Sequence, residues 1–322
     1  MYVTSGETCT KITCDEAVEV VELRTSQEEA DTRILLHAKH ASSDVSSIVI
    51  IAEDTDILIL SLAFHETISC NIFIKCGTKN CTRFIDVSKV ATSLGKQVCN
   101  SLIGMHAFTG CDTVSAFSGL GKVRALMLLK GNTRFQQAFT KLGENWTISS
   151  ELQDCLEEFV CRLYTPQSDI LDVNEMRNLL FRTKAGNVES GQLPPCKDCL
   201  KMHTIRANYQ SAIWHRSLKV SPNIPSPLDC TGWILGDQMQ LQINWMNGSP
   251  APDVVLEFMS CKCKRFCSLP GCQCMVNGLN CTDACTLQSC DNMRYDGDII
   301  RDEGQMDEVS DEEGQSDNDI SY

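Results

Sequence analysis

The sequence lacks the long apolar runs and the leader pattern that would place the protein in or beyond a membrane. No apolar run reaches the roughly 18 residues that a membrane-spanning helix requires. The N-terminus does not carry a basic stretch followed by an apolar one, which is the pattern of a secretory signal. These absences predict an intracellular protein that is soluble and has no membrane partner.

Positive charge is scarce as well, and its deficit is concentrated at the C-terminus. The 28 Lys and Arg residues are outnumbered by 42 Asp and Glu residues, which gives a net charge of −14. Residues 291–322 contain 12 acidic and 2 basic residues, so they supply −10 of this charge and residues 1–290 carry only −4. Because residues 293–322 also contain few apolar side chains, they predict a disordered acidic tail.

The stretch from Ile48 to Leu60 is apolar and rich in β-branched residues, except for carboxylates clustered around Thr55. It predicts a strand that is buried on both faces and ends in Asp54 and Asp56. In an extended chain these two side chains would point the same way, where they can share a hard cation such as Mg²⁺ or Mn²⁺. The alternative is a strand followed by an Asp that caps the next helix.

A helix is predicted from Ser26 to His40. Ser26 can cap its N-terminus, and Glu29 occupies the capping-box position three residues later. Glu29 and Asp31 then lie in the first turn, where the helix dipole favours carboxylates whether or not they bind a metal.

A glycine-rich turn follows a second predicted helix, which covers residues 85–102. The sequence continues through Gly110 to Asp112 and then reads Gly119-Leu120-Gly121-Lys122. Such a turn exposes backbone N–H groups, and with Lys122 and Arg124 it can hold a phosphodiester backbone. The alternative is a helix end and restart that has no ligand.

In their order and separations, these carboxylates and this turn resemble the internal region of flap-endonuclease-like, PIN-like nucleases. The resemblance covers roughly residues 26–130 and implies an α/β fold with a parallel sheet in a domain over residues 1–130. In that family the carboxylates bind two divalent metals, Mg²⁺ or Mn²⁺, and the turn grips duplex DNA. By position, the resemblance implies metal ligands at Glu29, Asp31, Asp54, Asp56 and Asp112, and DNA contacts at Gly119, Gly121, Lys122 and Arg124.

Three departures from the family pattern leave two functions open. Family members supply further carboxylates from a preceding strand and helix, whereas only 28 residues precede Glu29; Asp31 replaces a longer Glu, and Thr113 stands where the family often has Tyr. One interpretation is a DNA-binding protein whose nuclease-like domain is degenerate or incomplete. The other is an active Mg²⁺- or Mn²⁺-dependent endonuclease that cleaves branched or single-stranded DNA.

Residues 131–220 predict a helical extension, and residues 221–258 a linker region with a hairpin and a short helix from Asp253 to Met259. The hairpin strands are Gly232–Leu235 and Leu241–Trp245. The helix predicted over residues 205–218 interleaves cations with aromatics, which suits either a nucleic-acid groove or a half-buried helix with an exposed basic face.

A Cys-x₂-Cys-x₃-His pattern lies just before that helix, at Cys196, Cys199 and His203. It is either half of a zinc site or simply a helix start, since no well-spaced second pair of ligands follows it.

Eight cysteines lie between residues 261 and 290, within the predicted module of residues 259–292. The segment has few large apolar residues, so cross-links must hold it, and in a reducing compartment Zn–thiolate bonds supply them. Disulfides are the alternative. The predicted Zn²⁺ ligands are Cys261, Cys263, Cys267, Cys272, Cys274, Cys281, Cys285 and Cys290.

This segment resembles the CXC domain of tesmin-like chromatin proteins, in which clustered zincs hold a small DNA-binding fold. The resemblance includes the stretch from Asn277 to Cys281 and the closing Cys290-Asp291-Asn292, but Leu287 occupies the place of a ninth cysteine. Eight thiolates suit either two Cys₄ sites or a three-zinc cluster that lacks one ligand. The predicted DNA contacts are Lys262, Lys264 and Arg265.

A nuclease-like domain joined to a CXC module also resembles uncharacterised animal proteins derived from mobile elements. That resemblance extends to about residue 292 and implies a nuclear protein with DNA, and with chromatin proteins, as its partners.

Overall fold

The computed structural model describes residues 1–78, 81–183, 190–249, 260–282, 285–287 and 290–293. The chain divides into two compact units, Met1–Gly248 and Ser249–Tyr322. The short helix predicted from Asp253 to Met259 and the predicted acidic tail, apart from Met293, lie outside the described residues. Within the described part of the chain, no helix combines the length and the apolar character needed to cross a membrane.

The first unit begins with a small antiparallel sheet of three strands, β1 (Tyr2–Ser5), β2 (Thr8–Ile12) and β3 (Ala17–Glu19). Cys9 of β2 and Leu23, which follows β3, are buried with Leu36 of the following helix, so a small apolar cluster anchors the sheet.

A second sheet carries the apolar strand of the acidic stretch. Its strands are β4 (Ser47–Ile51), β5 (Asn71–Thr78) and β6 (Cys81–Asp86), in that spatial order. The β4–β5 pair is parallel and the β5–β6 pair is antiparallel. The mixed α/β class is therefore confirmed, but the sheet formed by the described residues is mixed rather than wholly parallel.

β4 is not buried on both faces. Val49 is 51% exposed and Ile51 is 75% exposed, whereas Ile50 is buried. β4 lies at the edge of its sheet, and no layer of the described residues covers its outer side chains. The apolar run in the sequence does not reveal this exposure, because a strand buried on one face and a strand buried on both faces can have the same composition.

The helix α2 (Thr55–Phe64) follows β4 directly, and Asp54 caps it. The Asp54 carboxylate accepts a hydrogen bond from the backbone N–H of Asp56 at 2.9 Å. The capping interpretation is thus correct for the local structure, and Asp54 and Asp56 are not consecutive outward residues of one extended strand. Capping does not exclude a metal site, because only one Asp54 oxygen makes this bond.

The helix α1 (Ala30–Ala41) begins four residues after Ser26, so the predicted Ser26 cap is wrong. Glu29 occupies the cap position, and its side chain makes no capping bond. The preceding residues are held extended by tertiary contacts: the Gln27 side chain donates to the carbonyls of Ser217 and Lys219, and Arg33 donates to the Gln27 carbonyl. These contacts outweigh the local capping signal.

The single helix predicted over residues 85–102 is two helices, α3 (Val87–Leu94) and α4 (Lys96–Phe108). The chain turns at Gly95, whose φ of 83° is easy for glycine and costly for other residues. After this turn α4 enters the interior, and its residues from Ser101 to Phe108 are all buried.

Residues 131–220 share one core with the segments that precede them rather than extending from a finished domain. The helix α5 (Lys122–Lys130) precedes this range, and the first helices within it are α6 (Thr133–Lys141), α7 (Ser150–Tyr164) and α8 (Val173–Thr183). Phe108 of α4 packs edge-to-face on Phe139 of α6 and Phe159 of α7, with ring centroids 5.6 and 6.2 Å away. Rings at these distances stabilise the core beyond simple area burial.

The helix α9 (Lys197–Trp214) starts eight residues before the predicted one. Both interpretations of this helix, a nucleic-acid groove and an exposed basic face, place its cations at the surface, but Arg206 is only 2% exposed. Its guanidinium donates to the Asn244 carbonyl at 2.7 Å, beside the hairpin strands β7 (Trp233–Leu235) and β8 (Leu241–Ile243). The predicted hairpin is confirmed, and it packs on α9.

Gly104 of α4 marks the closest approach of two helices, because a β-carbon there would overlap the Phe139 carbonyl oxygen of α6. We expect Gly104→Ala to lower the free energy of unfolding by about 2 kcal/mol, since α6 must move to admit the methyl group. Urea unfolding followed by circular dichroism measures this. Gly131→Ala is the control, because its nearest neighbours are 3.8 Å away; equal losses for the two variants would contradict the prediction.

Candidate metal centres

Three aspartates from two helix starts form the acidic centre, which we define as Asp31, Asp54 and Asp56. One carboxylate oxygen from each lies within 4.8 Å of the others. Asp31 lies in the first turn of α1, while Asp54 caps α2 and Asp56 lies in its first turn. The positive ends of both helix dipoles therefore meet the three negative charges.

The crowding of carboxylates changes the proton affinity of Asp31. Burial, and then the charges of Asp54, Asp56, Glu29 and Asp112, raise the pKa of Asp31 from 3.8 to about 6. Asp112 and Glu29 are thus close enough to act electrostatically on the acidic centre. Carboxylate oxygens held this close, with one carboxyl already resisting ionisation, fit a hard divalent cation that would relieve their repulsion.

Asp31→Asn is expected to stabilise the protein when no divalent cation is present. Because the Asp31 pKa is raised, the folded state binds more protons than the unfolded chain between pH 3.8 and about 6. Stability therefore falls as the pH rises through this window, and the loss is complete above it. Since the side chain is only partly buried, we expect a gain of about 1 kcal/mol at pH 7.

Urea unfolding of the wild type and Asp31→Asn at pH 7 and pH 4, in the presence of a chelator, measures this gain. The difference between the two proteins should nearly vanish at pH 4, where the wild-type carboxyl is protonated. A variant less stable than the wild type at pH 7 would contradict the crowding argument.

Glu29 lies beside the acidic centre but is held by another element. Its two carboxylate oxygens accept hydrogen bonds from Gln210 at 2.7 Å and from Trp214 at 2.9 Å, both on α9. Thr113 donates in turn to Gln210 at 2.7 Å. The structure thus does not group Glu29 with the three aspartates, although its charge reaches Asp31.

His106 is a residue of this site that the sequence analysis missed. Its Nε2 lies 2.6 Å from Oδ1 of Asp56, and its Nδ1 lies 3.0 Å from the ammonium of Lys122. The signal was present in the sequence, because His106 is the one imidazole in an apolar stretch of α4. A polar ring that is 1% exposed requires partners, and here both are charged groups.

The glycine-rich turn leads into α5 as expected, but its cations differ in accessibility. Gly119 has a φ of 69°, and Gly121 is the cap residue of α5. The Lys122 ammonium points inward and donates to the carbonyls of Gly110 and His106, and burial lowers its pKa. Arg124 is exposed and donates to the Tyr164 carbonyl at 3.3 Å.

The Cys196, Cys199 and His203 pattern has the geometry of a helix start. The Cys196 sulfur caps α9 by accepting from the Cys199 N–H at 3.5 Å. His203 points away from both thiols: its Nε2 donates to the Phe108 carbonyl at 2.8 Å, and its ring packs on Phe108 and Phe117. Among the described residues, these three side chains form no metal-binding group.

Buried His203 makes the first unit sensitive to acid, because burial lowers its pKa from 6.5 to about 4. Between these values the unfolded chain binds a proton that the folded protein does not, so stability falls as the pH drops. We expect His203→Gln to remove about 2.5 kcal/mol of the stability difference between pH 7 and pH 4.5. Urea unfolding at the two pH values measures this; an unchanged difference would contradict it.

The second unit contains a cluster of thiols in three overlapping groups, each with its sulfurs within 4.8 Å of one another. Neighbouring sulfurs are 3.6 to 3.9 Å apart, for example in the pairs Cys261–Cys267 and Cys274–Cys285, which is too long for disulfides. The groups are Cys261, Cys263, Cys267 and Cys272; Cys261, Cys272, Cys274 and Cys281; and Cys267, Cys281 and Cys290.

Four cysteines belong to two groups each, so the described thiols form a connected cluster rather than separate sets. A hydrogen bond from the Met275 N–H lowers the pKa of Cys272 to about 7, which favours the thiolate that a soft metal requires. The predicted DNA contacts Lys262, Lys264 and Arg265 are all exposed beside this cluster.

Comparisons with protein-family models, with curated proteins and with solved structures gave no match. The resemblances to PIN-like nucleases and to CXC domains therefore stay predictions. The acidic centre and the cysteine cluster are the two sites whose chemistry points to a function.

Proposed function

We propose that the first unit hydrolyses phosphodiester bonds of DNA with Mg²⁺ or Mn²⁺ bound at the acidic centre. The observation that carries this proposal is the convergence of the Asp31, Asp54 and Asp56 oxygens within 4.8 Å, where burial and then the neighbouring negative charges raise the pKa of Asp31. Three carboxylates offer the oxygen ligands that these cations prefer, and they lack the thiol or imidazole set typical of zinc. The predicted PIN-like fold belongs to this proposal.

Divalent cations at such a centre lower the pKa of water and stabilise the charge that develops on a phosphate. The residues of the chain would hold the cations and place the substrate. Asp31, Asp54 and Asp56 are the ligands, and the Glu29 and Asp112 charges add to the attraction for a cation. Exposed Arg124 and the backbone of the turn from Gly119 to Gly121 would contact the DNA backbone.

A second function, DNA binding without cleavage, is favoured by the contacts of Glu29. Both of its oxygens already accept hydrogen bonds from α9, which leaves three aspartates as the cation ligands. A nuclease centre that has lost ligands would bind one cation where the family binds two. Under this alternative the nuclease-like domain is degenerate, and the protein acts by binding DNA or chromatin.

We also propose that the cysteine cluster binds Zn²⁺ and forms a CXC-like module with a DNA-contacting surface. Two of the three thiol groups contain four cysteines, which suits tetrahedral zinc, and the sharing of cysteines favours a connected zinc cluster over two independent Cys₄ sites. The exposed Lys262, Lys264 and Arg265 would meet phosphates. A nuclear protein of mobile-element origin fits both proposed activities.

Cleavage of a labelled flap DNA by the full chain in Mn²⁺ tests the first proposal. Product that appears with Mn²⁺ and is abolished by a chelator would support phosphodiester hydrolysis at the acidic centre. Intact DNA binding with no product on flap or single-stranded DNA would overturn it in favour of the second function.

A further inference from the structure

A pair of buried aromatic rings lies behind the carboxylates of the first unit. His106 of α4 and Trp214 of α9 are 1% and 2% exposed, and their ring centroids are 5.7 Å apart. Each ring reaches one carboxylate: His106 Nε2 lies 2.6 Å from Asp56 Oδ1, and Trp214 Nε1 donates to Glu29 at 2.9 Å. The helices α4 and α9 thus each direct a ring nitrogen to a carboxylate in or beside the acidic centre.

The contact with Lys122 decides which His106 nitrogen carries the proton. Lys122 Nζ lies 3.0 Å from His106 Nδ1, and a lysine ammonium can only donate hydrogen bonds. Nδ1 must therefore accept, so the hydrogen of the neutral ring lies on Nε2 and is donated to Asp56. Lys122 is itself fixed, because it also donates to the carbonyls of Gly110 and His106.

We propose that His106, held in one tautomer by Lys122, is a positioning residue that orients the Asp56 carboxylate for its divalent cation. The inference rests on the proposed function of the acidic centre. A carboxylate turns readily about its terminal torsion, whose preferences are broad. A short hydrogen bond from a buried ring removes that freedom and leaves the second oxygen in a defined direction.

Loss of a group that holds a metal ligand typically weakens metal binding by about 10- to 100-fold. His106 is suited to this role because it is 1% exposed and both of its ring nitrogens have hydrogen-bond partners. Lys122 acquires a different role from the one its turn predicts: it acts on Asp56 through His106 and does not face DNA directly. Its loss should therefore weaken cation binding more than DNA binding.

Titration of the full chain with Mn²⁺, followed by isothermal calorimetry at fixed pH, tests the inference. We expect His106→Phe, which keeps a ring but loses both hydrogen bonds, to weaken Mn²⁺ binding by about 10- to 100-fold. His106→Gln keeps one N–H donor and one acceptor, so it should bind Mn²⁺ within about threefold of the wild type. Lys122→Met should fall between the two, and its DNA affinity should depend on salt as in the wild type.

His203→Phe is the matched control, because it also converts a buried histidine of the same core to phenylalanine but lies away from the carboxylates. It should lose stability in urea and keep wild-type Mn²⁺ affinity, which separates positioning from general loss of packing. If His106→Phe does not fold, the comparison of His106→Gln with Lys122→Met decides.

Two failures are distinguishable. If His106→Phe and Lys122→Met bind Mn²⁺ as tightly as the wild type does, the positioning role is overturned and the proposed function stays intact. Wild-type protein that binds no Mn²⁺ would overturn the proposed function, and the inference with it.

Discussion

The double variant Asp54→Asn, Asp56→Asn is expected to lose Mn²⁺-dependent cleavage of flap DNA by a factor of about 10³ or more. A thousandfold loss corresponds to ~4 kcal/mol of transition-state stabilisation. The physical reason is that two of the three converging carboxylates become neutral amides, which bind hard cations weakly. Single-turnover cleavage measures the chemical step without product release.

The substitutions are chosen so that the fold survives. Asparagine is as good a helix cap as aspartate, so α2 should still begin at Thr55 when Asp54 is replaced. An asparagine at position 56 keeps an oxygen that can accept from His106. Circular dichroism and urea unfolding should therefore show a folded protein, and DNA binding should remain.

Asp15→Asn, Asp44→Asn is the matched control. It also removes two negative charges, but from exposed positions that lie outside the acidic centre. If both double variants cleave like the wild type, the acidic centre is not the site of cleavage. Equal losses in the two variants would instead point to overall charge as the cause.

Removal of the zinc proposed for the cysteine cluster is expected to unfold the second unit and leave the first intact. The described core of the second unit consists of cysteines with two methionines beside it, so it has little apolar surface to bury once the thiols are free. Structural zinc commonly supplies about 10 to 16 kcal/mol of folding free energy to such small modules at neutral pH. A strong chelator should therefore make residues 260–293 sensitive to protease while α1 to α9 stay protected.

The sharing of thiols predicts how individual cysteines contribute. Cys261 belongs to two metal-binding groups, whereas Cys263 belongs to one. We expect Cys261→Ser to lose more zinc per chain than Cys263→Ser, and exposed Cys14→Ser to lose none. Zinc is counted by atomic emission on the purified full chain under reducing conditions.

The zinc content of these variants distinguishes a connected zinc cluster from two independent Cys₄ sites. Two independent Cys₄ sites would give equal zinc losses for Cys261→Ser and Cys263→Ser. Fewer than about two zincs in the wild-type chain, or thiols recovered as disulfides, would refute a zinc module altogether.

Local patterns were most reliable where a single element could be recognised from its own residues. A helical region is predicted over residues 131–220, and α7 within it buries Leu156, Phe159, Val160 and Leu163 at helical spacing. The hairpin of β7 and β8 also lies where the turn residues place it. Apolar periodicity and turn chemistry act over a few residues, so they can be recognised without the rest of the chain.

Predictions failed where distant residues competed with a local signal. Ser26 has the chemistry of a helix cap, yet Gln27 is pulled toward Ser217 and Lys219, and α1 starts later. Arg206 has the charge of a surface residue, yet backbone carbonyls near the hairpin hold it inside. Such contacts join residues that are tens of positions apart, and no local pattern encodes them.

The sequence by itself determined the composition of the two candidate centres: carboxylates at the starts of α1 and α2, and eight thiols within one short segment. Only the tertiary structure decided which of them meet. It joined Asp31 to Asp54 and Asp56, bound Glu29 to α9, and placed His106 and Lys122 behind Asp56. The reason is that ligand geometry depends on how separate helices pack, and packing is a property of the whole core.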